Sequence, residues 1–184
     1  MSRTLTRIVV GAIAATCVIT PTAALSASKA EKQRARMTGG GHFQARSAAA
    51  DNARVKATHG FALYCNAATE PQRLEVNWSG GNSFHLTDIA TASCSDSPLI
   101  DQENPEAPID TYRGTGAGRL NFGSGAKEEG FADWKFVDGG EPGGGADQIR
   151  ITIWDADGDV VLSTSTRPLT KGNHQAHRGT GSKA

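Results

Sequence analysis

Apolar and polar residues alternate along most of this chain with a period of two. In 148–154, Ile149, Ile151 and Ile153 point one way and Arg150, Thr152 and Trp154 the other. In 73–79, Leu74, Val76 and Trp78 oppose Glu75 and Asn77. The same alternation marks 57–66 through Phe61, Leu63 and Cys65, 83–89 through Phe84 and Leu86, and 130–137 through Ala132, Trp134 and Phe136. It returns in 159–166 through Val160, Leu162 and Thr164. Successive side chains of a strand face opposite sides, so each segment predicts a half-buried β-strand. Segment 111–122 is interrupted by glycines, which predicts a weak or edge strand.

Turn chemistry separates these segments. Ser79-Gly80-Gly81-Asn82 and Asp155-Ala156-Asp157-Gly158 read as tight turns, and 47–53 is small and polar. The stretches 96–108 and 138–147, rich in proline or glycine, read as longer loops. No segment sustains a period of 3.6. Many short strands, with turns every roughly 8–12 residues, predict an all-β fold: an antiparallel β-sandwich or partly closed barrel.

The two ends differ from this body. Arg3 and Arg7 precede an apolar run from Ile8 to Ile19, and Pro21 and small residues up to Ala27 follow. This describes a secretory signal peptide over 1–27, its run too short for a stable membrane span. Residues 28–36 are basic with no apolar face and read as a flexible leader. A single β domain is expected over 37–177 and a disordered tail over 178–184. The domain opens with Met37-Thr38-Gly39-Gly40-Gly41-His42-Phe43. Its consecutive glycines weaken a regular element but permit positive φ and close backbone approach. No Lys-Ser/Thr pair follows at phosphate-loop spacing.

Charge changes the picture modestly. Lysine plus arginine equals aspartate plus glutamate at 19 each, which does not indicate a strongly basic nucleic-acid binder. The distribution is uneven: 28–56 holds seven basic and two acidic residues, 57–168 seven basic and seventeen acidic, and 169–184 three basic and no acidic. Basic ends on an acidic body suit contact with anionic polymers, although solvated flexible ends explain them as well.

Removal of the signal takes Cys17 and leaves Cys65 and Cys94, which in an exported chain are expected to pair. One candidate strand lies between theirs. Outer strands of a flat three-stranded meander are ~9.5 Å apart, whereas a disulfide needs Cα atoms within about 7 Å. Either the chain bends past the strand ends, or the two strands lie in facing sheets.

These landmarks together resemble the post-COAP-type family of secreted bacterial β domains. The motifs are Met37-Thr38-Gly39-Gly40-Gly41-His42, Gly60-Phe61-Ala62-Leu63-Tyr64-Cys65, Leu74-Glu75-Val76-Asn77-Trp78 and Phe84-His85-Leu86-Thr87. Ala92-Ser93-Cys94, Asp110-Thr111-Tyr112, Gly114-Thr115-Gly116 and Asp138-Gly139-Gly140-Glu141-Pro142-Gly143 continue the series, and Val160-Val161-Leu162 and Gly172-Asn173-His174-Gln175-Ala176-His177 close it. The resemblance covers nearly the whole chain after the signal. It implies an extracellular β fold, alone or appended to larger surface proteins. It implies no activity and carries over no catalytic or binding residue. The turn at Asp155–Asp159 departs from it by being more acidic.

Candidate chemistry is sparse. Asp155, Asp157 and Asp159 set three carboxylates in one turn, a weak calcium candidate. A full EF-hand loop would need glycine at 160 and glutamate at 166, where the chain has Val160 and Thr166; an ordinary turn explains the same residues. His174 and His177 would point to opposite faces of a strand; with His42, His59 or His85 they make a conceivable zinc set. No nucleophile-elbow spacing occurs, so no catalytic residue is assigned and no enzyme is expected. Trp78 and Trp134 alternate with apolar residues and are expected in the core. Trp154 lies opposite an isoleucine face and is the candidate ligand platform. The expected function is a secreted non-catalytic β domain with a structural, surface or protein-interaction role; the alternative is a carbohydrate- or calcium-binding module. Candidate partners are a cell-wall glycan or another surface protein, with no nucleic acid and no membrane after signal cleavage.

Overall fold

The computed structural model describes residues 28–69, 71–100, 107–141 and 145–179. The expected signal (1–27) and the end of the expected tail (180–184) lie outside the described residues. A short helix α1 (Lys29–Arg34) is followed by nine strands: β1 (Arg36–Ser47), β2 (Ala53–Tyr64), β3 (Arg73–Trp78), β4 (Asn82–Ser95), β5 (Thr111–Asn121), β6 (Lys127–Val137), β7 (Gln148–Trp154), β8 (Val160–Pro168) and β9 (Lys171–His177). Residues 28–36, expected to be a flexible leader, thus carry a helix and the first residue of β1. The signal for the helix was a capping box: Glu31 N–H donates to Ser28 Oγ at 3.2 Å, and Ser28 N–H donates to Glu31 Oε2 at 2.8 Å.

Each strand from β1 to β8 pairs antiparallel with the next, and β8 returns to β1. The result is a closed eight-stranded antiparallel barrel with one extra strand. Closure decides between the two expected architectures, because the sheets of a sandwich keep edge strands whereas full closure of the eight strands removes them. β1 instead pairs with β2 over its whole length on one side, and with β8 and then β9 on the other.

Two expectations about glycine are corrected. Gly39, Gly40 and Gly41 lie inside a twelve-residue strand, with none of them at positive φ. A Cβ on Gly41 would sit 2.2 Å from the Lys171 carbonyl oxygen, and one on Gly39 2.5 Å from that of Asn173. Bare backbone lets β9 close onto β1. Likewise β5 is no edge strand: it pairs throughout with β4 and β6. Its inward Gly114 and Gly118 leave room for Trp134 and Phe84, whose ring atoms would lie 2.6 and 2.5 Å from a Cβ at those positions. Strand propensity is overridden here by the volume that barrel packing needs.

The interior is filled by alternating side chains from every strand of the barrel, with Trp134, Phe43, Phe84, Phe136 and the isoleucines of β7 fully buried. Trp78 is also buried, as its alternation predicted.

Cys65 and Cys94 form the expected disulfide, with Cα atoms 5.5 Å apart. The chain bends past strand ends, the first of the two routes. β3 begins at Arg73, opposite Ala62, and its last pair toward this end of β4 is Glu75 with His85. β4 runs on past it, with register shifts at 86–88 and 89–91 that bend it toward the end of β2. The disulfide closes the space that the short β3 leaves. Cys65→Ser is expected to cost about 3–4 kcal/mol in the chain-entropy model, read from urea unfolding; an unchanged midpoint would show that this end of the barrel holds without the bridge. Gly114→Val, which drives a branched side chain into Trp134, is expected to cost roughly 1–3 kcal/mol or more, read the same way.

Candidate functional site

Trp154, the platform candidate, ends β7 with its side chain on the outer surface. Register places Phe131 of β6 directly across from it, Ala117 of β5 across from Phe131, and Asp88 of β4 across from Ala117. Phe131 is 50% exposed, unusual for a phenylalanine. The two rings border an outward concavity of about 420 Å³. Ala90, Thr115 and Ala117 form its small-residue floor, and Asp88 and Asp133 its polar rim. Arg150 on β7 forms an ion pair with Asp133, fixing one rim carboxylate. Thr91 and Thr115 share a hydroxyl–hydroxyl bond of 2.7 Å. Trp154 was legible from alternation. Phe131 was not, because it sits one residue outside the inward triplet of Ala132, Trp134 and Phe136, and only pairing brings it to Trp154.

Asp155, Asp157 and Asp159 do share one turn, built as a turn requires. Asp155 Oδ1 accepts the N–H groups of Asp157 (3.1 Å) and Asp159 (2.8 Å), and Gly158 has φ of 88°. One oxygen of Asp155 is therefore committed to the backbone. Among the described residues, no group of three or more histidine, cysteine, aspartate or glutamate side chains is placed to hold a metal ion.

The histidines divide as strand geometry requires. His174 is fully buried inside the barrel, while His177 lies on the outer face, 2.7 Å from Thr38 Oγ1. His85 is also outside, 3.7 Å from Glu75. His59 meets His174 in the interior, Nε2 to Nε2 at 2.8 Å, among Phe43, Phe61 and Phe136. His174 Nδ1–H donates to the Val137 carbonyl at 3.0 Å. A carbonyl only accepts, so His174 Nε2 carries a lone pair and His59 Nε2–H donates to it. Burial, and for His59 also the neighbouring His174, pulls these rings down to about 3 and about 4. Both are neutral near pH 7.

β9 is held on its far side by carboxylates. Asp147 Oδ2 accepts His174 N–H at 2.5 Å, and Asp138 Oδ2 accepts Ala176 N–H at 2.7 Å. Asp147 Oδ1 accepts Gly139 N–H, and Asp138 Oδ1 accepts Gly140 N–H. Burial raises both carboxyls, Asp147 to about 6. Glu141 Oε1 accepts from the amides of Asn173 and Gln175. Side-chain carboxylates thus dock one edge of β9, and backbone pairing with β1 supplies the other.

Comparison with known proteins adds nothing to this geometry: no family model, curated protein or solved structure matches the chain. Among the described residues, no helix is long and apolar enough to cross a membrane.

The histidines and Asp147 act oppositely on stability. His59 and His174 have lowered values in the fold, so their contribution is present above about 6.5 and is lost as pH falls through about 4 and about 3. Asp147 has a raised value, so its contribution is present below 3.8 and is lost as pH rises through about 6. Between pH 6.5 and 4, His59→Phe should therefore flatten the acid loss of stability, by up to about 1.4 kcal/mol per pH unit for the one proton removed. Asp147→Asn should steepen it. Urea midpoints measured across this range check both; parallel profiles for wild type and His59→Phe would show that His59 takes up its proton in the folded state.

Proposed function

We propose that this chain is a secreted, non-catalytic binding domain that holds a glycan chain against the outer ledge of Trp154 and Phe131. The observation that carries the reading is the pair of outward aromatic rings beside a small-residue floor with carboxylates at its rim. Aromatic faces offer apolar area with little loss of rotamer freedom, which suits the C–H faces of sugars, and carboxylates accept from sugar hydroxyls. The resemblance to post-COAP-type secreted domains supports the extracellular setting. A non-catalytic role is supported by the use made of the buried ionisable groups: Asp138, Asp147, His59 and His174 are engaged in closing the barrel.

The test is titration with soluble glycans, beginning with β-1,4-linked N-acetylglucosamine oligomers and a panel of neutral wall polysaccharides. Saturable binding is expected, weakened about tenfold or more by Trp154→Ala or Phe131→Ala, which is ~1.4 kcal/mol or more. The melting temperature should change little, because both rings lie outside the core. Binding that survives both substitutions, or no saturation across the panel, would overturn the glycan reading.

A further inference from the structure

Antiparallel pairing of β1 with β9 brings the two basic ends of the sequence together. Arg36 pairs with His177, so Arg178 emerges beside the start of β1 and the end of α1. The contact is close: a Cβ on Gly179 would sit 2.3 Å from the Arg34 carbonyl oxygen. Between these segments lies an open concavity of about 600 Å³, bordered by Arg34, Arg36 and Arg178. Tyr64, Asn66 and Thr69 also line it. Among the described residues that line it, none is acidic.

Three exposed arginines border this space, Arg34 with its Nε donating to the Ala30 carbonyl at 3.3 Å, and an anion among them would ease their mutual repulsion beyond what solvent does. Among the described residues, Glu31 is a carboxylate that feels the charge of Arg34 and Arg178. Its carboxylate, however, is turned back onto Ser28 N–H at 2.8 Å to cap α1. Among the described residues the ion pairs are His85 with Glu75 and Arg150 with Asp133, and none involves these arginines. Meanwhile 57–168, which supplies most of the barrel, is strongly acidic, so a concave surface whose described charged residues are all arginines stands apart from the body that carries it. Guanidinium presents a planar fork of donors that matches the oxygen pairs of a phosphate, and several forks converging on one space are a phosphate-binding arrangement.

We propose that the concavity of Arg34, Arg36 and Arg178 binds phosphate groups carried on an extracellular polyanion. It lies at the opposite end of the barrel from Trp154, since Arg36 opens β1 at the end where β7 begins and Trp154 closes β7. The two sites are independent.

The test titrates the full oxidised chain with inorganic phosphate and with a glycerol-phosphate oligomer, followed by amide NMR at low and physiological ionic strength. Saturable binding is expected for both, with shifts centred on Arg34, Arg36, Arg178 and Thr69. The oligomer should bind about tenfold or more tighter per chain and show the steeper salt dependence, because it places several phosphates at once. Phosphate binding as tightly as the oligomer would overturn the polymer part of the proposal in favour of a free-ion site. Arg36→Gln with Arg178→Gln should weaken the oligomer at least tenfold, whereas Arg119→Gln with Lys127→Gln, an equal charge change at the far end, should alter it less than twofold. Equal losses in the two variants would reduce the site to general charge attraction and overturn it. Arg178→Gln alone, outside every strand, keeps the test valid if Arg36→Gln perturbs β1. An oligodeoxynucleotide of equal phosphate number is expected to bind no tighter; tighter binding would replace the polymer with a nucleic acid. Trp154→Ala should leave anion affinity unchanged, so this result and the glycan result fail separately.

Discussion

Strand β1 has to accept β2 on one side and β8 followed by β9 on the other, and at its centre it meets them with three residues that have no side chain. The carbonyls of Lys171, Asn173 and His59 approach where Cβ atoms of Gly39, Gly40 and Gly41 would otherwise stand. A larger residue at Gly39 or Gly41 would push β9 from the seam, and with it the buried His174 ring; one at Gly40 would press on β2 instead. The seating of β9 on β1, the buried histidine pair and the convergence of the chain ends all follow from this one steric allowance. The two sequence motifs that flank the domain, Thr38-Gly39-Gly40-Gly41-His42 and Gly172-Asn173-His174-Gln175, are the two halves of a single paired structure.

The cost of ending a sheet at β9 is met by carboxylates. A strand with no neighbour leaves N–H groups exposed to competing partners or, if buried, unsatisfied. Asp147 and Asp138 accept the N–H groups of His174 and Ala176 where a further strand would have supplied carbonyls. Charge-assisted bonds of this kind are each worth roughly 1.5–3 kcal/mol. Burial explains why raised carboxyl values and lowered histidine values occur side by side: it opposes charge of either sign, and for Asp138 and Asp147 it outweighs these backbone bonds, which act to lower them.

With the interior occupied by aromatic and branched side chains, both proposed sites lie on the outer surface. There the barrel presents chemically distinct faces: an aromatic ledge with two carboxylates, one held by Arg150, near the turn at Asp155–Asp159, and an arginine-lined concavity at the opposite end. Neither depends on a mobile element for its assembly. Pairing register aligns Phe131 with Trp154, and the β1–β9 ladder brings Arg36 beside Arg178.

The alternation of apolar residues determined the strands, the all-β class and the burial of Trp78 and Trp134, because a half-buried strand must write its inner face into every second residue. Two cysteines were enough to determine the disulfide, and Trp154 was readable as outward because it opposes Ile149, Ile151 and Ile153. β1 and β9 were not readable: glycines interrupt the apolar series of Met37, Phe43 and Ala45 in β1, the fully buried residue of β9 is His174, and the ladder that joins the two spans more than a hundred residues of chain. The same reason hid β5, whose glycines look like weakness until Trp134 and Phe84 occupy the space above them. The choice between sandwich and barrel, the partner of Trp154 and the meeting of the basic ends were decided by tertiary structure alone, since each depends on which strand lies beside which, and local periodicity carries no information about neighbours.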